Sequence, residues 1–491
     1  MYQQKDPTPE FSKFEMSFGG ELRRDNRWVV LGDIIPWDEV EKRYARLFSL
    51  ENGRPALPVR VALGALVIKE RLKISDEETV DQIRENHYLQ YFLGYESYQD
   101  ERPFDPSMMV HFRKRLSGSV LKEINEIMAP KPDREKRGND DSGPDGNESS
   151  GNGEDRNKGT MIVDATCAPE DMRFPHDVTT LDEARRKTEK IIDVMFKSMP
   201  EGREKPRTYR RVARKRFLTF IRNRKPRKGD VKRALKSQIQ FVERNLRSIE
   251  SMAAEVGIGM LSRKEHRDLM VIAEYVRQQR ELRETGELSL PGRIVSIWKP
   301  HVRAIARGKA RGMFEFGAKV SVSLVDGYAR VERLSWDNYH EGIDLKAQIA
   351  TYKERYGEYP EVVCADKIYR TRDNLDFCKE HGIRLSGPKL GRPYKDEERR
   401  RELRKIERQD EGMRVAIEGK FGEGKRSYSL DNVRMRLKET SETSIMMTFL
   451  LMNIMKLLRD RARSLFALLS KHIICALRAL RTSEKGLFVA A

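Results

Sequence analysis

Apolar residues recur at helical spacing around Val61, Leu63, Leu66, Val67 and Leu72, which predicts a helix early in the chain. A break at Lys73-Ile74-Ser75-Asp76 follows. Ser75, with Glu78 three residues on, reads as the N-cap of a second helix running through Val80, Ile83 and Arg84. A polar segment from Asp105 to Leu116 opens on Asp-Pro-Ser and closes on Phe112-Arg113-Lys114-Arg115-Leu116. Residues 1–130 are therefore expected to form a helical domain. Short helices ending in a basic element suit a helix-turn-helix DNA reader, and they suit a helical dimerisation module equally well.

From Lys131 to Thr160 the residues are almost wholly Gly, Asp, Asn, Ser, Glu, Lys, Arg and Pro. Such a stretch cannot bury a core and reads as a flexible linker over 131–160.

Beyond it the pattern changes. The short β-branched run Met161-Ile162-Val163 predicts a buried strand ending at Asp164. Leu181 to Leu290 reads as helices. In Phe314 to Leu334 the residues Phe316, Ala318, Val320, Val322 and Leu324 alternate with others, Asp326-Gly327 supplies a tight turn, and Tyr328, Val331 and Leu334 follow. That is a β-hairpin. A helix over Leu345 to Tyr356 precedes a second strand, Glu361 to Ala365, ending at Asp366. A helix over Arg372 to His381, a strand at Ile383 to Leu385 and a charged helix from Asp396 to Phe421 complete the series. Strand, helical insert, hairpin, helix, strand, helix, strand, helix describes an α/β domain on a mixed sheet over 161–460. Residues 461–491 are left as a helical, apolar tail, either a genuine helix or a frameshifted end.

Charge narrows the partner. The 491 residues carry a formal net charge of +19, which favours a polyanion, nucleic acid before an acidic membrane surface. About half of the residues from Arg203 to Lys228 are Lys or Arg, interleaved with Tyr209, Phe217 and Phe220, and Glu204 is the lone acid. Arg214, Lys215 and Arg216 sit at its centre. This run reads as a phosphate-gripping surface, against the plainer reading of a solvated helix face. Cys167, Cys364, Cys378 and Cys475 are scattered, which argues against a disulfide framework, and Cys378 with His381 makes only half a zinc site. No apolar segment follows the polar start, and Ile445 to Leu458 is too short for a membrane span and carries Asn453 and Lys456. It reads as a buried helix, and the chain is expected in the cytoplasm.

Asp164 and Asp366 each follow an apolar strand, and strand ends are where open α/β sheets place their ligands. Glu418 lies on a helix with Met413, Ala416, Ile417 and Phe421, one turn beyond Arg414. Three converging carboxylates suit Mg²⁺, which takes oxygen ligands and keeps several waters. Two such ions roughly 3.5–4 Å apart activate an attacking oxygen and stabilise a leaving one. A lone acid at a strand end is more often a turn former, as Asp326 before Gly327 illustrates.

The segments around these acids resemble the DDE transposases of bacterial insertion sequences. They are Val163-Asp164-Ala165-Thr166 with Arg173-Phe174-Pro175-His176-Asp177, then Phe314-Glu315-Phe316-Gly317-Ala318-Lys319, then Ala365-Asp366-Lys367-Ile368-Tyr369-Arg370. The last is Arg414 and Glu418 with Lys425, inside Ile417 to Arg426. That family sets a Tyr, an Arg, the Glu and a Lys in register; here Glu411 holds the Tyr position. The resemblance implies a ribonuclease-H-like catalytic domain with a basic helical insertion over about 180–300, behind a helical N-terminal transposase domain. It implies Asp164, Asp366 and Glu418 as catalytic ligands of Mg²⁺, with Mn²⁺ able to substitute. Arg414, Lys425, Arg426, Lys420 and Arg370, with Arg214, Lys215 and Arg216, are the expected DNA contacts. Double-stranded DNA, as element ends and target, is the implied partner, and synapsis of two ends implies a homo-oligomer.

Three alternatives accompany this reading. A recombinase with a covalent nucleophile would point to Tyr369 beside Arg370. A transposase-derived protein that only binds DNA would retain the fold without the chemistry. A metal-dependent nuclease would use the same three acids and differ only in the fate of the 3′-OH.

Overall fold

The computed structural model describes residues 20–48, 55–129, 157–287, 289–306, 314–388 and 396–487, without the side chains of 465–469 and 471–487. Most of the expected linker, 131–156, lies outside the described residues, as do the side chains of most of the C-terminal tail.

Seven helices open the chain: α1 (Arg27–Ile34), α2 (Trp37–Ala45), α3 (Val59–Leu72), α4 (Asp76–Glu85), α5 (His87–Phe92), α6 (Met108–Arg115) and α7 (Gly118–Met128). Helix α3 buries nearly every side chain it carries, so it forms the centre of the group. Ser75 caps α4 as its sequence suggests, its hydroxyl accepting from Glu78 N at 3.0 Å. The basic end of α6 is used partly inside. Arg113 is buried and forks onto Asp76, Nη1 to Oδ1 at 3.0 Å.

The mixed sheet is built from β1 (Thr160–Pro169), β2 (Arg303–Ala306), β3 (Phe314–Val325), β4 (Tyr328–Ser335), β5 (Val362–Cys364) and β6 (Arg384–Leu385). Strand β3 runs antiparallel beside β1 and carries β2 and β4 in turn along its other edge; β5 and β6 continue parallel on the far side of β1. The β3–β4 hairpin turns on Asp326 and Gly327 with φ of 51° and 79°, the pair of positive values a two-residue hairpin needs. Gly317 is required where β1 and β3 pair, since a Cβ there would stand 2.0 Å from the Ala168 carbonyl oxygen. The short β2 carries no apolar run and had no signal in the sequence.

Between β1 and β2 stand α8 (Asp177–Phe196), α9 (Arg210–Arg222), α10 (Lys228–Val256) and α11 (Arg263–Thr285). Helices α12 (Leu345–Tyr356) and α13 (Arg372–Glu380) cover one sheet face through Leu345, Ile349, Tyr352 and Cys378. Helices α14 (Glu397–Ser427) and α15 (Lys438–Leu487) take the other. On that side one continuous core joins Leu63 and Leu66 of α3, Leu121 of α7, Val320 and Val322 of β3, Ile417 of α14, and Phe449 and Leu450 of α15. Each such side chain contributes about 1.5–3 kcal/mol by leaving water. The segment read as a buried helix, Ile445 to Leu458, is the inner part of α15. Its Asn453 accepts from Ala329 N at 2.9 Å and donates to Ala329 O at 2.7 Å and to Asn125 Oδ1 at 2.8 Å, which joins α15, β4 and α7. Among the described residues no helix is long and apolar enough to cross a membrane.

Candidate functional site

Strand β1 does not end at Asp164 as its apolar run suggests; it continues to Pro169. The reason is the partner on one side. Ala165 to Pro169 pair with β3, residue by residue from Ser321 to Gly317, and that ladder sustains a strand without an apolar sequence. The parallel pairing with β5 stops earlier, at Ile162 opposite Cys364. Asp164, still within β1, and Asp366, in the turn that follows β5, each lie two residues past that last pair. Alternation then turns both toward the α14 face, since Ile162 and Cys364 belong to the core on that side.

Helix α14 brings the third acid. Asp410 is buried and bidentate to Arg384 of β6, at 2.6 and 2.9 Å, which pins the helix to the sheet edge. Ile417, Phe421 and Gly424 then form its buried stripe. One turn past Asp410, Arg414 reaches Asp366 with Nη1 at 3.2 Å and Glu418 with Nη2 at 3.1 Å. Asp366 also accepts from Lys367 N at 2.6 Å and caps a short 3₁₀ turn over Lys367–Tyr369. The Arg384–Asp410 clamp went unread in the sequence because nothing in either residue's local pattern marks the contact.

Asp164 is half-buried and accepts from Ala165 N at 2.8 Å. Burial pushes its carboxyl up to about 6; Glu341 and Asp366 add to the rise, while the Ala165 N–H and Arg414 oppose it. Glu341 is itself paired with Lys319 at 2.8 Å. A fourth acid thus faces the site from the turn before α12, which the sequence reading did not single out. Tyr369, the alternative nucleophile, is fully buried, and burial followed by the charges of Glu341 and Asp164 raises its hydroxyl above its ordinary range. A phenol so placed cannot reach a phosphodiester.

The expected DNA contacts divide. Lys425 lies one further stretch along the Arg414–Glu418 stripe of α14, half-buried, and Arg426 beside it is exposed. Lys420 is turned to Glu423 at 2.9 Å. Arg370 donates to the carbonyls of Leu385 and Ser386 at 2.8 and 2.6 Å, so its guanidinium fastens the β5 turn to β6. Arg214, Lys215 and Arg216 lie on α9, where Ala213 is the only buried residue; Arg216 also reaches Ser237 Oγ at 3.1 Å.

Among the described residues no three His, Cys, Asp or Glu side chains are grouped closely enough to hold a metal ion. The Arg414 guanidinium lies between two of the three acids and supplies a positive charge there. The chemistry of the donor set nonetheless fits a hard divalent cation: three carboxylates, oxygen donors only, one of them with its proton affinity raised first by burial and then by the neighbouring acids Glu341 and Asp366.

Residues 363–455 match the family model described as transposase DDE domain, and residues 17–115 match the one described as transposase domain (DUF772). The first spans Asp366, Arg414, Glu418 and Lys425; Asp164 lies outside both. The resemblance to transposases is therefore shown near both ends of the chain. An uncharacterized protein, ORF8 in the nfe locus of Rhizobium meliloti, is 36% identical over 96 residues, which are 20% of this chain and 46% of that relative. The chain thus spans less than half the length of that relative. No solved structure matches.

Proposed function

We propose, from the premise that transposase domains occupy both ends of this chain, that it binds the ends of an insertion sequence, cleaves DNA and joins the freed 3′-OH to target DNA. The observation that carries this reading is the register of β1 and β5, which sets Asp164 and Asp366 side by side, with Arg414 linking Asp366 to Glu418. A mixed sheet with one acid on its central strand and a second just past the end of the neighbouring parallel strand supports a ribonuclease-H-like catalytic domain.

Asp164, Asp366 and Glu418 would hold Mg²⁺, or Mn²⁺ in its place, and the bound ions would supply Lewis acidity to the attacking and leaving oxygens. The rest falls to the chain itself. Asp410 and Arg384 fix the height of α14 against the sheet. Arg414 holds Asp366 and Glu418 at one spacing, and it can turn to a phosphate oxygen once a cation takes its place. Lys425, one stripe away, offers a point charge to the same backbone. Residues 1–130 and the basic insertion hold the element ends. Two ends brought together require at least a dimer.

The test uses a supercoiled plasmid carrying the native locus, with and without Mg²⁺, beside Asp366→Asn. Metal-dependent cutting at the element ends that the variant lacks, followed by joined strands, is the expected result. Cutting without joining makes the protein a nuclease. Binding without cutting by either protein makes it a DNA-binding derivative, and the assignment of the three acids then fails.

A further inference from the structure

Of the four tryptophans, Trp28, Trp37 and Trp336 are buried, while Trp298, in the segment between α11 and β2, is 42% exposed. Three cations crowd its ring: Arg436 at 4.5 Å from the centroid, Lys187 at 4.6 Å and Lys264 at 5.1 Å. Arg267 donates to the Trp298 carbonyl at 2.9 Å. Lys187 is neutralised by Asp268 at 2.6 Å. Among the described residues, neither Lys264 nor Arg436 has a carboxylate at ion-pair distance.

The cations come from three separate places: Lys187 from α8, Lys264 and Arg267 from the first turns of α11, and Arg436 from the link between α14 and α15. Their proximity is felt electrostatically. Burial first, and then Arg436, lowers the proton affinity of Arg267. Half-buried His301 is pushed down to about 4 by burial and then by Lys299, Lys438, Arg303 and Arg267, so it stays neutral and adds no charge at neutral pH. Arg267 has Asp268 at 4.0 Å, so the uncompensated charge of the group is that of Lys264 and Arg436, and it costs stability unless an anion completes it.

We infer that Lys264 and Arg436 on the Trp298 ring, with Arg267 at the Trp298 carbonyl, form a clamp for the phosphate backbone of DNA. The Trp298 ring is the scaffold that holds the heads of Lys264 and Arg436 beside that of Lys187, each cation–π contact contributing about 0.5–1 kcal/mol at an exposed site. The clamp is anchored to the catalytic sheet: Lys299, next to Trp298, is ion-paired with buried Glu170 and donates to the Val433 carbonyl at 3.2 Å. Glu170 lies six residues beyond Asp164, about 20 Å along an extended strand. The clamp joins the helical insertion to the catalytic sheet on one stretch of DNA, and none of its residues belongs to the basic run of α9.

This inference rests on the proposed DNA-joining function, and the experiment separates the two. The full chain is titrated with a duplex oligonucleotide over a range of salt, beside Lys264→Ala/Arg436→Ala, while acrylamide quenching reads the one exposed indole. The expected result is a log–log salt slope lower by about 2 in the double variant, at roughly 0.9 per lost phosphate contact. In the wild type the duplex shields Trp298 from quenching; Trp298→Phe identifies that emission. Salt-dependent binding by wild type with an unchanged slope in the double variant overturns the clamp and leaves the function standing, whether or not Trp298 is shielded. No binding by wild type overturns the function, and the clamp with it. Unchanged circular dichroism and melting of the double variant, whose two side chains are exposed, confirm that fold is not the variable.

Discussion

Arg414 Nη1 stands 3.2 Å from Asp366 Oδ1, so a residue in the middle of a 31-residue helix is tied to the turn that ends a three-residue strand. With Nη2 on Glu418, the guanidinium sets the spacing of two acids that no backbone pairing connects. Arg414→Ala is expected to lower strand cleavage by about 10²-fold, the usual scale for a reacting group displaced by about an ångström. Arg414→Lys restores only part of it, because one ammonium cannot fork onto two carboxylates. DNA affinity should change far less than the cleavage rate, and the half-exposed pair should shift stability by less than about 1 kcal/mol. Single-turnover cleavage beside equilibrium binding reads the difference; equal losses in both would reassign Arg414 to simple DNA holding.

Asp164 links acidity to stability. Its folded carboxyl titrates at about 6 against an ordinary 3.8, so the folded chain binds this proton more tightly than the unfolded one. The stabilisation is complete below the ordinary value and disappears as pH rises through about 6. In metal-free protein, Asp164→Asn should therefore be more stable than wild type at pH 8, on the order of 2 kcal/mol, with the gap closing below pH 4. Mg²⁺ should raise the melting temperature of wild type and leave that of Asp164→Asn nearly unchanged. Urea titrations at both pH values decide the first point, and a metal series in a melting experiment decides the second.

Gly317 carries a structural prediction. A methyl group there meets the Ala168 carbonyl at 2.0 Å, and backbone cannot yield as a side chain tip can. Gly317→Ala should cost more than about 3 kcal/mol, at the upper end of single substitutions. Ala318→Gly, one position along the same strand, should cost about 1 kcal/mol or slightly more. Similar losses in the two variants, measured by urea denaturation, would mean that β1 and β3 approach less closely than described.

Helix α9 offers a surface that should matter to DNA and hardly at all to folding. Arg214 and Lys215 are exposed, and only Ala213 of the helix is buried. Arg214→Ala/Lys215→Ala should leave melting unchanged and reduce the salt slope of DNA binding by about 2. An unchanged slope would return α9 to an ordinary solvated helix.

Much of the mixed-sheet half was legible because each element carried its own signal. Asp326-Gly327 announced the hairpin, β-branched residues announced β1 and β5, and helical spacing placed α12 with both its ends. What escaped depended on partners distant in sequence. The continuation of β1 past Asp164 comes from β3 rather than from its own residues. The clamp between Arg384 and Asp410 spans two elements, and Glu341 approaches Asp164 only because the turn before α12 folds over the sheet. The same limit applies to Arg370, whose motif resembles a DNA contact while its guanidinium is held by the carbonyls of Leu385 and Ser386.

The core that α3 and α7 share with α15, sealed where Asn453 meets Asn125 and Ala329, has a consequence for synthesis. During translation the first helices emerge more than 300 residues before the helix that covers them. Their apolar faces must wait, and domains otherwise tend to fold as they leave the ribosome. A chain cut short before residue 438 leaves those faces without α15, open to chaperones and proteases. Expressed without residues 438–487, the chain is expected to be more readily proteolysed than the full protein, as limited proteolysis of the two would read.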